Sequence, residues 1–113
     1  MVKEYILKYE DKIIIKSTFK KKMFKLTIET RIADGYKNFV EQLKLNTTEG
    51  VVNDFQEDVS ALLKIDEQFL ELKKEKKIID EKALRLSLQQ MYIFIAKKWK
   101  LIYLTNDLNF KKE

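Results

Sequence analysis

The spacing of apolar residues changes once along the chain, near residue 33. Before that point apolar and polar residues alternate, which is typical of strands with one buried face. Residues 23–32 show this most clearly, with Phe24, Leu26, Ile28 and Ile32 on one face. Residues 2–9 place Tyr5, Leu7 and Tyr9 together, and residues 13–19 do the same for Ile13, Ile15 and Phe19, although Ile14 breaks the alternation. With turns at Glu10–Asp11 and Lys20–Lys22, this pattern predicts a three-stranded antiparallel meander.

After residue 33 the apolar residues recur every three to four positions, as on helices. Asp34 is a candidate cap for a first helix, whose stripe is Tyr36, Phe39, Val40 and Leu43 and which should end near Leu45. A second helix is predicted from about Val51 to Glu75. Its stripe advances by three residues from Leu62 to Ile65 where four are expected, so the stripe rotates or the helix breaks near Asp66.

A third helix is predicted from Asp80 to Leu104. Its stripe consists of Leu88, Tyr92, Ile95, Trp99 and Ile102. Residues 84–88 also alternate like a strand, but the long run without a turn signal favours a helix. The whole pattern predicts one α+β domain over residues 1–113: a three-stranded antiparallel β-meander (1–32), three helices packed on one face of the sheet (33–104) and a short tail (105–113). Its predicted core is Phe24, Leu26, Ile28, Phe39, Leu43, Phe55, Val59, Leu62, Leu88, Tyr92 and Ile95.

The composition excludes several kinds of chemistry. The chain has no cysteine and no histidine, so disulfides, thiolate metal sites and histidine-based catalysis are excluded. Asp54, Glu57 and Asp58 have a spacing that could bring three carboxylates to a divalent cation, but stabilisation of a helix N-terminus is the favoured interpretation. No enzyme motif is present. We therefore predict a protein that is not an enzyme and has no metal, no cofactor and no small-molecule substrate.

The distribution of charge favours a protein partner. The net charge is +5, and the chain divides into a basic, an acidic and a basic block over residues 1–31, 32–72 and 73–113. Such blocks can pair within or between subunits, which favours self-association or a charged protein partner. A three-stranded sheet would also leave the first strand, Val2 to Tyr9, as an unprotected edge.

Targeting signals are not visible in the sequence. The first ten residues lack an apolar signal-peptide core, and the longest uncharged run, Leu86 to Ala96, is too short to span a bilayer. We therefore expect no membrane span and a cytoplasmic location, in a host cell or in a virion if the chain is encoded by a phage. The abundance of Lys, Ile, Phe and Asn is consistent with a bacterial or phage source.

Lysine clusters provide the candidate contact residues for nucleic acid or a partner. They are Lys20, Lys21, Lys22, Lys25, Lys73, Lys74, Lys76, Lys77, Lys97 and Lys100. Lysines at a hairpin tip could neutralise phosphates, but a solvated tip is the favoured interpretation. Trp99 lies among lysines as in proteins that stack bases, yet it falls on the apolar stripe and is predicted to pack in the core. Lysines at the end of the second helix also suit the helix dipole.

Two functions remain as expectations. The first is a small non-catalytic protein-interaction module, such as an assembly, adaptor or inhibitor component of a bacterial or phage system. The alternative is a nucleic-acid-binding protein that uses Lys20–Lys22 and the C-terminal lysines. A peripheral membrane binder ranks third, because the third helix combines aromatic residues with lysines but is needed for the core.

Overall fold

A computed structural model describes residues 2–74 and 80–107 of the chain. Its strands are β1 (Val2–Tyr9), β2 (Lys12–Lys22), β3 (Lys25–Ile32) and β4 (Ile102–Asp107), and its helices are α1 (Gly35–Asn46), α2 (Glu49–Leu63), α3 (Ile65–Lys74) and α4 (Glu81–Trp99). The strands form one antiparallel sheet in the order β3-β2-β1-β4. The α+β class and the placement of a three-stranded meander before the helices are confirmed.

The fourth strand was not predicted. The sequence pattern assigned residues 100–104 to the third helix and residues 105–113 to a tail, but α4 ends at Trp99 and residues 102–107 pair with β1. Lys100 has left-handed backbone angles (φ 55°, ψ 46°), which end the helix, and the N–H of Leu101 donates to the carbonyl of Ala96. Strand β4 therefore covers the edge of β1 that was expected to be free. Residues 108–113 of the predicted tail lie outside the described residues.

The second predicted helix consists of two consecutive helices. α2 ends at Leu63 and α3 begins at Ile65, with the N–H of Lys64 bonded to carbonyls of the last turn of α2. The three-residue step from Leu62 to Ile65 had indicated a rotation or break near this point. Both Leu62 and Ile65 are buried. The break at Lys64 lets the apolar stripes of α2 and α3, which are out of phase along the chain, reach the same core.

The predicted starts of the three helices lie within two residues of the observed starts of α1, α2 and α4, with one difference in capping. Asp34 occupies the N-cap position of α1 but makes no capping hydrogen bond through its side chain. Thr48 caps α2, and Asp80 accepts hydrogen bonds from the N–H groups of Lys82 and Ala83 at the start of α4. The cap assigned to Asp80 is therefore confirmed.

The turn between β2 and β3 is shorter than the sequence pattern indicated. Lys20–Lys22 was predicted as the turn, but these residues belong to β2, and Lys22 pairs with Lys25 across a two-residue loop. That loop is Met23–Phe24. Phe24 was assigned to the core because it alternates with Leu26, yet its side chain is fully exposed. The alternation rule applies only within a strand, and Phe24 lies just before β3 begins.

A β-bulge explains the irregular apolar run in β2. Leu7 pairs with Ile15 and Lys8 pairs with Ile13, so Ile14 is an extra residue on β2. Both Ile14 and Ile15 are fully buried, whereas Ile13, which was predicted to share the buried face, is only half-buried. Because of the bulge, the residues of β2 before Ile14 point to the opposite faces from those that simple alternation predicts.

The helices cover one face of the sheet and enclose the core. Apart from Phe24 and the half-buried Leu43, every predicted core residue is buried. Aromatic side chains connect the helices: the ring centroids of Phe39 and Phe55 are 4.9 Å apart, and those of Phe55 and Trp99 are 5.2 Å apart. Trp99 is half-buried and packs against the core, as its place on the apolar stripe predicted, and its Nε1 donates to Asp58 Oδ2 at 2.8 Å.

A buried polar contact fixes α4 over the sheet. Ser17 on β2 is fully buried, and its Oγ lies 2.6 Å from the Tyr92 hydroxyl on α4 and 2.6 Å from Thr30 Oγ1 on β3. Burial raises the pKa of Tyr92. Side chains of β2, β3 and α4 therefore form one hydrogen-bonded network. Its bonds constrain how the three elements are placed relative to one another.

We expect truncation of the aromatic cluster to be costly. Phe55→Ala and Phe39→Ala should each lower the free energy of unfolding by about 3–5 kcal/mol, because each leaves a cavity between α1 and α2. Chemical denaturation measures this change. Losses below about 1 kcal/mol for both variants would contradict the assigned core.

Candidate interaction surface on the open face of the sheet

The face of the sheet opposite the helices, here called the open face, divides into two halves. Strand pairing places Lys16, Lys20, Lys22, Lys25 and Arg31 on the part formed by β2 and β3, and we call these residues the basic half. The part around β1 and β4 presents Ile6, Ile13, Ile102 and Leu104, which we call the apolar half, and these side chains lie beside Glu4 and Lys8. The open face is therefore asymmetric in its chemistry.

Positive charge in the basic half is concentrated at one end. Lys16 Nζ lies 3.3 Å from Glu4 Oε2, and Arg31 forms an ion pair with Glu29. Within the part of the chain that the structure describes, Lys20, Lys22 and Lys25 form no ion pair. Lys22 and Lys25 face each other across the strands, an arrangement of like charges that disfavours folding. The uncompensated charge therefore surrounds the loop at Met23–Phe24.

The three consecutive lysines do not act together. Lys21 points to the other side of the strand from Lys20 and Lys22, and its Nζ lies 2.7 Å from Glu81 Oε2 in the first turn of α4. Glu81 suits the positive end of the helix dipole as well. Lys21 therefore connects the hairpin to α4, and the candidate basic finger has two of the three predicted lysines plus Lys25.

The loop itself is apolar and conformationally unusual. Met23 has φ 56°, a value that favours glycine, and its side chain is 85% exposed. Phe24, beside it, is fully exposed. We call residues 20–25 the hairpin tip: a Met–Phe pair flanked by Lys20, Lys22 and Lys25. The lysines of the tip were predicted as candidate contacts, whereas Met23 and Phe24 were not. The signal in the sequence was that a lysine, Lys22 or Lys25, stands on each side of this apolar pair.

The remaining candidate lysines do not join this surface. Lys97 lies on α4, and Lys100 lies between α4 and β4, near the end of β1 that is farthest from the hairpin tip. Lys73 and Lys74 end α3, but their side chains lie outside the described residues, as do Lys76 and Lys77 entirely. The structure thus brings together Lys20, Lys22 and Lys25 from the predicted set.

The acidic cluster on α2 has a structural explanation. Lys98 Nζ lies 3.0 Å from Asp54 Oδ2 and 3.1 Å from Asp58 Oδ2, and these hydrogen bonds raise the pKa of Lys98. The predicted role of the cluster, stabilisation of a helix N-terminus, was wrong, because α2 begins at Glu49 and the cluster lies beyond its first turn. Among residues 2–74 and 80–107, no group of three acidic side chains is arranged to hold a metal ion.

The two edges of the sheet differ. At the β3 edge, the backbone N–H of Thr30 donates to the Asp66 carboxylate on α3. Burial raises the pKa of Asp66, and the negative charge of Glu29 raises it further. Asp66 Oδ1 is buried without a hydrogen-bond partner in the described structure. A carboxyl group whose charged form is disfavoured by burial thus lies against the edge strand and accepts a hydrogen bond from it.

Comparison with known proteins does not identify a relative. No family model, no curated protein and no solved structure matches the chain significantly. Separately, none of the helices in the described ranges combines the length and the apolarity needed to cross a bilayer. Function must therefore be argued from the geometry of the hairpin tip and the open face.

The raised pKa of Asp66 makes a prediction about pH. Because the folded state disfavours the charged form, the contribution of Asp66 to stability is greatest below its ordinary pKa of 3.8 and is lost as pH rises through the raised folded value. Asp66→Asn keeps an acceptor for Thr30 and removes the buried charge. We expect this variant to be more stable than the wild type at pH 7 and to lack that part of the pH dependence.

The matched control is Glu67→Gln, which removes an exposed carboxylate from the same turn of α3. Denaturation curves between about pH 3 and pH 7 measure both effects. Equal pH profiles for Asp66→Asn and Glu67→Gln would contradict the role assigned to Asp66.

The left-handed conformation of Met23 makes a prediction about stability. Met23→Gly should raise the free energy of unfolding by up to about 1 kcal/mol, because glycine tolerates a positive φ and methionine does not. Phe24→Gly is the control, since the φ of Phe24 is not positive and this variant should bring no gain. Chemical denaturation measures both. A loss of stability in Met23→Gly would show that the Met23 side chain supports the fold.

Proposed function

We propose that this protein is a small non-catalytic interaction module that binds a protein partner through its hairpin tip. The observation that carries the proposal is Phe24, a fully exposed aromatic side chain at the end of a two-residue loop. The partner surface would be an apolar pocket surrounded by carboxylates. Such a module suits an assembly, adaptor or inhibitor component of a bacterial or phage system, acting in the cytoplasm.

Phe24 is the anchor of the proposed interface. Its side chain contributes no burial to the fold, while the adjacent Met23 adopts a conformation that is costly for a residue with a side chain. Burying a phenylalanine is worth about 1.5–3 kcal/mol. Aromatic residues that enter a pocket supply much of the affinity of protein interfaces. A tip that costs stability and exposes an anchor is well suited to binding.

The lysines determine which surface the tip fits. Lys20, Lys22 and Lys25 surround the Met–Phe pair and form no ion pair in the described part of the chain, although Glu29 lies near Lys20. An acidic rim on the partner would therefore complement them. Rim charges of this kind mainly raise the association rate and make it depend on salt. Lys21 lies outside this set because it is paired with Glu81.

Nucleic acid is the second candidate ligand, because the basic half extends from the tip towards Lys16 and Arg31. Two observations weaken this alternative. Lys16 and Arg31 are already paired with Glu4 and Glu29. On the open face, strand pairing places no aromatic side chain among the described residues, whereas sheets that bind single strands stack bases on aromatic rings.

The proposal can be tested at position 24 directly. A photo-crosslinking phenylalanine analogue at residue 24 should capture one protein in cells, while the same analogue at Leu45, which is exposed at the end of α1, should not. The captured protein is then purified and titrated. We expect Phe24→Ala to weaken binding by about 30-fold or more, in line with an anchor worth about 2 kcal/mol, and Leu45→Ala to leave it unchanged.

A triple variant tests the lysines and the alternative. Replacing Lys20, Lys22 and Lys25 with Gln should slow association with the captured partner and reduce its salt dependence. The same variant is compared with wild type for binding to short single- and double-stranded DNA and RNA at about 150 mM salt. Full affinity of Phe24→Ala for the partner would overturn the proposal. Micromolar nucleic-acid binding that the triple variant loses would establish the second candidate instead.

A further inference from the structure

The β4 edge of the sheet differs from the β3 edge in having no protection among the described residues. α3 lies against β3, and Asp66 binds the outward N–H of Thr30. β4 pairs with β1 on one side, and within residues 2–74 and 80–107 nothing pairs with its other side. Exposed edges are usually protected by lysine, proline or a bulge. Residues 102–106 of β4 contain no charge, no proline and no glycine, and the charged Asp107 is the last residue of the strand.

The backbone of β4 offers regularly spaced partners for another strand. Hydrogen-bonded pairs alternate along an antiparallel ladder, and the two-residue β2–β3 hairpin sets the phase of that alternation across the sheet. Ile102 and Leu104 then bond to β1, whereas the N–H and C=O groups of Tyr103 and Thr105 point outward. An antiparallel strand can bond the N–H and C=O groups of both residues at once.

We propose that a second copy of this chain pairs with the β4 edge, antiparallel and about a two-fold axis, to form a continuous eight-stranded sheet. Centring the axis at Leu104 places this residue opposite itself and pairs Tyr103 with Thr105 of the second copy. The outward groups of Tyr103 and Thr105 then bond to each other across the axis. The strand is self-complementary because no like charges meet within residues 102–106.

Side chains of the open face support this register. Ile102 is 48% exposed and Leu104 is 44% exposed, and both belong to the apolar half. With the axis at Leu104, the apolar halves of two copies join and the two Leu104 side chains contact each other. A register centred at Thr105 would place Leu104 opposite Asn106 and bury less apolar surface. The contact therefore covers hydrophobic area that one chain leaves in water.

The absence of cysteine allows a direct test of the register. Leu104→Cys should form a disulfide-linked dimer under mild oxidation, because directly opposed residues in a non-hydrogen-bonded pair have close Cβ atoms. Ile102→Cys should not, since residues 102 of the two copies lie several positions apart along the ladder. Leu45→Cys, on the exposed end of α1, controls for random collision.

Opposite charges test the same contact without a covalent bond. Light scattering of the wild type should give twice the 13.6 kDa of one chain at high concentration. Leu104→Lys and Leu104→Glu should each be monomeric, with unchanged circular dichroism, and an equimolar mixture should recover the dimer. Phe24→Ala should dimerise like wild type, which separates this inference from the proposed function of the hairpin tip.

Three results would each overturn the inference. One is a wild-type mass of 13.6 kDa at every concentration, which would leave the edge free or available to a strand of another protein. Another is equal cross-linking of Leu104→Cys and Leu45→Cys. A dimer that persists in both charge variants would also contradict pairing at β4.

Discussion

The register of β2 between β1 and β3 is the constraint on which the surface of this protein depends. Side chains alternate between the two faces of a strand, so a shift of one residue would exchange the buried and the exposed sets. Two features fix the register. The bulge at Ile14 absorbs one extra residue, and Ser17 is held by hydrogen bonds to Thr30 and Tyr92. A strand slipped by one residue would place Lys16 or Thr18 where Ser17 now lies.

This register also determines which lysines of β2 pair with the helices and which remain on the open face. Lys21 faces the helices and pairs with Glu81, while Lys20 and Lys22 remain on the open face. In this register β2 ends at Lys22, so that Met23 and Phe24 form the loop of the hairpin. One arrangement of the strands thus produces both the attachment of the hairpin to α4 and the exposed aromatic tip. The proposed binding surface is a consequence of how the sheet is aligned.

Local periodicity predicted those parts of the fold that depend on local contacts. The helical stripes, the break after Leu62 and the cap at Asp80 all follow from neighbours within a few residues. Strand β4 could not be predicted in this way, because its partner β1 is about a hundred residues away along the chain, as the pairing of Tyr5 with Thr105 shows. Lys100 ends α4 in a left-handed conformation without the glycine that usually marks such a position.

The turn at Glu10–Asp11 was placed correctly, but the second turn was difficult to place, because the loop at Met23–Phe24 contains no glycine and no proline although Met23 has a positive φ. Without those signals, the polar Lys20–Lys22 was the natural choice for the second turn. The candidate site was therefore only partly predicted. Its lysines were visible in the sequence, but the inward direction of Lys21 and the exposure of Phe24 depend on where the strand ends.

Thiol labelling along β2 tests the register most directly. Because the chain has no cysteine, single-cysteine variants at residues 16 to 20 report the accessibility of each position. The account predicts fast labelling of the folded protein at positions 16, 18 and 20 and slow labelling at 17 and 19, with equal rates for all five in denaturant. Fast labelling at 17 and 19, or no alternation, would contradict the assigned register and the surface derived from it.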